Sequence, residues 1–284
     1  MSGFKPFGKR LTATLATLAT LCGLATLVSP TPALAKKASV GGLYNVSLAG
    51  FTIGRASLAL VLQGNAYSAK VGLEPAGIGT LFSTGKGSAT ASGWLVGDKV
   101  VPSKYQMASR AADIDFYVAL TQGSGHIRSF DVAPQFRPNK ERIEVTNKHR
   151  RNAMDPLSAA LMPVSVGKSG LSEQACKRTL PIFDGWTRFD IKLSFKEIKD
   201  VSGHGYNGPV VVCSARWTPV AGHRPSKDSV KQLTQAKMET WLAPAGREDV
   251  LIPYRISVET ETGELVLEAS KLNIEGASSD RAEN

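Results

Sequence analysis

The chain has 284 residues, 42% of them apolar and 20% charged, with a formal charge of +10. That length and apolar share allow a sizeable core, and they exclude wholesale disorder, which goes with few apolar residues and high net charge. A basic balance leaves two readings, nucleic-acid binding or attraction to anionic surfaces.

The first 35 residues have the layout of a secretory signal. Lys5, Lys9 and Arg10 make a basic start, Leu11 to Val28 carries no charge, and Ala33-Leu34-Ala35 fits a small-x-small cleavage rule, with Lys36 opening the mature chain. The uncharged run has 18 residues. As a helix it reaches about 27 Å, short of a bilayer core of about 30 Å. Its five threonines lower its hydropathy further, so cleavage is expected rather than anchoring. Cys22 follows Thr20-Leu21, not the small residue that a lipoprotein signal places before its cysteine. No later stretch is apolar enough to span a membrane, so the processed chain is not expected to be an integral membrane protein. Removing Lys5, Lys9 and Arg10 leaves 31 basic residues against 24 acidic ones, a charge of +7. Export argues against nucleic acid, and the cations are scattered. The densest patch, Lys148-His149-Arg150-Arg151, reads as a solvated face.

After a polar lead-in from Lys36 to Gly42, Tyr44 to Leu48 alternates. Ala56, Leu58, Leu60 and Leu62 then alternate with polar or small residues, Gly64-Asn65 is a hairpin turn, and Tyr67, Ala69, Val71 and Leu73 resume the pattern. Period two is the signature of a strand with one face on a core. Gly50 and Gly54 within this pattern predict bulges or bends. Residues 75 to 93 read as turns with one short element. Gly85-Lys86-Gly87-Ser88 is not a phosphate loop, because Gly79 stands one residue too far back and glycine follows the lysine.

Trp94 to Met107 predicts two strands joined at Gly97-Asp98. Further strands are expected at 114–120, 127–132 and 142–146, with a proline-containing loop at 133–140. Asp155-Pro156 opens a helix of about two turns that Pro163 stops, with Asp155 as its cap. Thr187 to Phe195 is the most regular amphipathic strand, residues 203 to 208 form a turn, and Val210 to Trp217 is an apolar strand. Residues 226 to 239 suggest a helix that gives way to a strand at Met238–Leu242. A hairpin follows at 252–269, turning at Glu261-Thr262-Gly263, and residues 276 to 284 form a disordered tail.

With Cys22 removed, Cys176 and Cys213 are expected to bond to each other. Closing a separation of 37 residues contributes about 4 kcal/mol in the chain-entropy model. A redox role would favour closer spacing.

The count is about ten to twelve strands with one or two short helices. The expected fold is mainly β: a single strongly curved antiparallel sheet or an open β-barrel spanning 36–275, with no linker dividing it.

Catalytic motifs are sparse. His126, His149, His204 and His223 are not at metal-ligand spacing, and neither H-E-x-x-H nor G-x-S-x-G occurs. No metal or other cofactor is expected. The polar-site candidates are His223 with Arg224, Asp184 in the Phe183-Asp184-Gly185-Trp186 turn, and Arg178 beside Cys176. For each, a loop or turn role competes with a functional one.

Several motifs occur together: Asp155-Pro156-Leu157-Ser158-Ala159, Cys176-x-Arg178-Thr179-Leu180, Phe183-Asp184-Gly185, Gly205-Tyr206-x-Gly208-Pro209, Pro219 to Arg224, and Trp241-Leu242-Ala243-Pro244. The set resembles a family of secreted proteobacterial proteins, the domain of unknown function numbered 3108. The resemblance covers nearly all of the mature chain. It implies export and a curved sheet similar in outline to periplasmic lipoprotein carriers, an analogy of fold alone. It implies no activity.

Three functional readings follow. The first is a periplasmic module that binds a lipid or a lipoprotein acyl chain on the concave face of the sheet. The second is an envelope factor that contacts another protein through strand edges. The third is a hydrolase of an envelope polymer using His223 or Asp184.

Overall fold

The computed structural model describes residues 37–81, 83–111, 114–164, 171–203 and 206–276. The expected leader with Cys22, the tail from 277 onward, and His204 and Gly205 of the expected turn lie outside them.

Alternating burial runs through seven consecutive strands, β1 (Lys37–Leu48), β2 (Phe51–Gln63), β3 (Ala66–Pro75), β4 (Lys86–Val96), β5 (Lys99–Ala111), β6 (Ile114–Gly123) and β7 (His126–Ala133). After a long irregular stretch come α1 (Pro156–Ala159), β8 (Met162–Pro163), β9 (Thr179–Phe183), β10 (Arg188–Ser202), β11 (Asn207–Ala221), α2 (Asp228–Gln235), β12 (Met238–Pro244), β13 (Val250–Thr260) and β14 (Gly263–Glu275). All fourteen strands join one sheet, ordered β7-β6-β5-β4-β3-β2-β1-β14-β13-β12-β11-β10-β9, with β8 paired to β13. The strand pairs are antiparallel. The first and last strands pair at the centre, so each half is a meander running outward to an edge, β7 on one side and β9 on the other.

The sheet is rolled but not closed. β7 and β9 do not pair; the segment 151–154 lies between them and bonds to both sides. The Ala153 amide donates to the Gly125 carbonyl at 3.2 Å, the Met154 amide to Pro181 at 2.8 Å, and the Phe183 amide to Met154 at 2.8 Å. Phe130 on β7 meets Phe183 on β9 edge to face at 5.7 Å. The Trp186 indole, just past β9, donates to the Pro134 carbonyl at 2.9 Å, just past β7. Register shifts at Leu43/Tyr44, Val46/Ser47, Ser92/Gly93 and Thr121/Gln122 supply local bends, as bulges do.

Two buried faces hold this shape. Leu60, Leu62, Tyr67, Ala89, Ala91, Val118 and Leu120 of the first half pack in one cluster with Phe183, Val250 and Ile252 of the second. The two halves therefore share a core. A second cluster, on the other face of β11–β13, gathers Val211, Leu242 and Leu251 around the Cys176–Cys213 disulfide and the 3₁₀ turn Glu173–Cys176 that carries Cys176. Burying these side chains contributes about 25 cal/mol per Å² of apolar surface.

Several expectations need correction. The supposed lead-in is strand: β1 begins at Lys37, and Ala38 and Val40 are buried between β2 and β14. β4 begins at Lys86, eight residues before the expected start at Trp94, because its inward positions Ala89 and Ala91 are too small to signal a core strand. Residues 142–146 form no strand. Ile143 exchanges two backbone bonds with residues 222–223, and no ladder follows. Helix α1 is one turn rather than two, because Met162–Pro163 pairs with Val250–Leu251 instead of continuing it. Gly50 belongs to a hairpin turn, with φ 84 after Ala49 at φ 50, the geometry of a two-residue type I′ connection. Gly54 does sit beside the bulge at Ile53. Among the described residues no helix is long and apolar enough to cross a membrane.

Candidate functional site

At one end of the rolled sheet the ends of β1, β3 and β5 and the starts of β2 and β4 surround a cavity of about 640 Å³. Its lining is largely apolar, from Val46, Leu48, Phe51, Ile53, Leu73 and Ile78. Each group has a local cause. The Ala49–Gly50 turn brings Leu48 and Phe51 side by side. The bulge at Ile53 lets that residue and Gly54 both face the cavity. The inward positions at the mouth of β4 and β5 are Gly87, Ser109 and Ala111, small enough to leave the space open.

A 3₁₀ turn, Gly77–Leu81, lies across β2 and holds Ile78 over the opening. Its clamp is close. The Ala76 amide donates to the Ile53 carbonyl at 3.2 Å, and a Cβ at Gly79 would stand 1.8 Å from that same oxygen. No side chain fits there. The patch continues outward through Leu81, Phe51 and Leu73, which are 78%, 62% and 53% exposed. Contiguous exposed apolar surface of this kind marks a contact site for a ligand, protein or membrane. Charge is confined to the rim, where Lys86 pairs with Glu74 at 3.6 Å and Arg110 with Asp115 at 3.7 Å.

The candidates named from sequence do not gather in this cavity. Cys176 and Cys213 form the expected disulfide, with Cα atoms 5.5 Å apart, both fully buried. Arg178, two residues on, lines a separate cavity at the opposite end of β4 and β5. Asp184 makes a turn: one carboxylate oxygen accepts from the Trp186 amide at 2.8 Å and the Thr187 amide at 2.5 Å, and the other accepts from the Thr187 hydroxyl at 2.7 Å. His223 stands edge-on to Trp217 at 4.9 Å and beside Phe189 at 6.4 Å, and burial pulls its imidazole below its ordinary range. No hydrogen bond joins it to Asp184, and its buried Nε2 has no partner among the described residues. Arg224 accepts the Lys227 amide at its carbonyl and stands near Arg142, whose guanidinium is lowered by burial and by that neighbour.

Sequence reasoning treated Asp155 as a helix cap and missed the network around it. Asp155 is fully buried and caps α1 by accepting the Ser158 amide at 2.8 Å. The Ser158 hydroxyl donates to its other oxygen at 2.5 Å, and the Gln122 amide to that same oxygen at 2.8 Å. The Tyr67 hydroxyl meets the Ser158 hydroxyl at 2.6 Å. Burial pushes the carboxyl up, with the bonds from Ser158 and Gln122 pulling against it. Burial likewise raises Tyr67 and Tyr105. The network ties α1 to β3 and β6 inside the roll. Ser158 is fully buried, so the group presents no accessible nucleophile. Among the described residues no three His, Cys, Asp or Glu side chains gather as a metal site.

Among solved structures, the fold is similar to the beta-barrel-like protein of domain of unknown function DUF1849 from Brucella abortus. The TM-score is 0.50 at 8% identity, over 85% of this chain and 98% of that one. The hypothetical protein CT021 from Chlamydia trachomatis matches at TM-score 0.28 and 12% identity, over 86% of this chain and 92% of that one. The first likeness concerns fold alone. No curated protein matches the chain. The family model described as protein of unknown function, DUF3108, matches residues 43–270, from within β1 to within β14, and the chain belongs to that family.

Proposed function

We propose that this protein is exported to the periplasm and there holds a hydrophobic ligand, the acyl chain of a lipid or lipoprotein, at the mouth of its rolled sheet. The observation that carries the reading is the cavity of about 640 Å³ lined by Val46, Leu48, Phe51, Ile53, Leu73 and Ile78, open to solvent and free of charge except at its rim. Its size lies within the ~300–1,000 Å³ of ligand pockets. The basic, uncharged, small-residue order of the first 35 residues supports export. The buried Cys176–Cys213 bond fits an oxidising compartment.

Energetics make the reading quantitative. Each buried methylene contributes about 0.8 kcal/mol, and association costs roughly 4–15 kcal/mol before any binding shows. Affinity must therefore climb with chain length, by about fourfold per methylene, until the cavity is filled. The test is displacement of a fluorescent fatty acid by saturated fatty acids of increasing length. Saturable one-to-one binding that strengthens with length in the native protein, and is lost in Leu73→Asp and Ile78→Asp, is the expected result. Absence of saturable binding, or affinity indifferent to length and to both substitutions, overturns the proposal. In that case the exposed patch is better read as a contact for another envelope protein.

A further inference from the structure

The second cavity lies at the far end of the roll, about 510 Å³ in volume, between the β4–β5 turn, residues 152–154 and the stretch 172–181 that follows β8. Its lining is mixed. Lys99 and Arg178 contribute positive charge, Lys177 is already paired with Glu173, Asp98 adds one negative charge, and Val100, Leu161 and Val164 form an apolar wall. Arg178 is held in place by its own backbone. Its amide donates to the Cys176 carbonyl, and its carbonyl accepts from the Leu193 amide, each at 2.9 Å. One terminal nitrogen of the guanidinium donates to the Pro163 carbonyl at 2.9 Å. The Nε of Arg178 and the hydroxyl of Ser172 are both buried, and neither has a hydrogen-bond partner among the described residues. Two orphaned donors beside the same cavity are uncommon, because buried polar atoms are nearly always satisfied. Burial also weakens the hold of Arg178 on its proton, with Asp98 acting against this from nearby.

We infer that this cavity binds a small organic phosphate, whose oxyanion takes the free donors of Arg178 and Ser172 and whose apolar part lies on Val100, Leu161 and Val164. A guanidinium edge suits an oxyanion. Ser172 and Arg178 flank the same 3₁₀ turn; a phosphate has a third oxygen for the Ser172 hydroxyl beside the two that face a guanidinium edge, where a carboxylate has only two. The volume exceeds what a bare phosphate needs, which is why an organic portion is included. This site is separate from the apolar mouth, so either one stands if the other fails.

The test follows the Arg178 Hε–Nε resonance of the disulfide-intact protein on addition of inorganic phosphate, phenyl phosphate and monomeric dihexanoyl phosphatidylglycerol. Phenyl phosphate is expected to shift the signal saturably and to bind more tightly than inorganic phosphate. The short-chain lipid separates the two sources: tighter binding than phenyl phosphate assigns a lipid headgroup, and weaker binding assigns a soluble ester. Binding should fall at least tenfold in Arg178→Gln, less in Arg178→Lys, and severalfold in Ser172→Ala. Asp98→Asn, which removes the opposing charge, should tighten it. Ser172→Ala and Asp98→Asn keep the test open if Arg178→Gln does not fold. No saturable shift with any probe, or equal binding by wild type, Ser172→Ala and Asp98→Asn, overturns the assignment.

Discussion

Removing the Cys176–Cys213 bond should weaken the fold without changing it. The bond ties the 3₁₀ turn Glu173–Cys176 to the middle of β11, and the 37-residue separation encloses β9 and β10. β10 already pairs with β11 at fourteen positions, so the native register does not depend on the bond. Its effect therefore falls chiefly on the unfolded chain. The loop-closure relation gives about 4 kcal/mol for a loop of this size, against a total stability of about 5–15 kcal/mol for a typical domain. Alanine is the cleaner replacement, because serine would bury two hydroxyls where both sulfurs are now fully enclosed. The assay is equilibrium urea unfolding of three samples: oxidised wild type, wild type with reductant, and Cys176→Ala/Cys213→Ala. Both uncrosslinked samples should show a lower midpoint and a steeper slope, since an uncrosslinked unfolded chain exposes more surface. Identical midpoints with and without reductant would refute the reasoning.

Gly79→Ala places a methyl 1.8 Å from the Ile53 carbonyl; the 3₁₀ turn should lift from β2, and acyl-probe binding should fall even where circular dichroism is unchanged. Asp184→Ala removes three hydrogen bonds from the turn after β9. It should cost about 1–2 kcal/mol, seen as a Tm lower by about 2–8 °C. Asp155 tests the pH dependence. Burial raises its folded pKa, so its contribution is complete below the unfolded value of about 3.9 and is lost as pH rises through the folded pKa. Urea midpoints of Asp155→Asn relative to wild type should therefore improve steadily from acid to neutral pH, and a difference that shrinks instead contradicts the direction.

How much was legible in the sequence depends on side-chain size and on distance along the chain. The strands carrying Leu58, Leu60 and Leu62, or Thr187 to Phe195, announce themselves because large side chains mark the inner face. β4 hides its face behind Ala89 and Ala91, and β1 behind Ala38 and Gly42, since a tightly rolled sheet fills its inner surface with small residues. Arg142 to Thr146 looked like a strand and is a loop, because alternation without a neighbouring ladder does not make one. Alternation points to an apolar binding surface on the concave face; that face is filled by the shared core, and the apolar mouth lies at one end of the roll instead. Leu48, Phe51, Leu73 and Ile78 come from four elements that the register brings together. The same holds for Gln122, Ser158 and Tyr67, which meet Asp155 only after rolling. Turn chemistry was readable at Gly64-Asn65, Gly97-Asp98 and the Asp155 cap, which fall where local rules put them, but not at Ala49-Gly50, which closes a hairpin where a bulge or bend was expected.

The account rests on a rolled sheet whose open end holds an apolar chain. Native mass spectrometry of the protein, isolated from cells that export it and never exposed to detergent, addresses this most directly. A one-to-one adduct that is lost on activation and missing from Leu73→Asp is the predicted spectrum. A bare polypeptide in both samples, under conditions that preserve the adduct of a known lipid carrier, would contradict it.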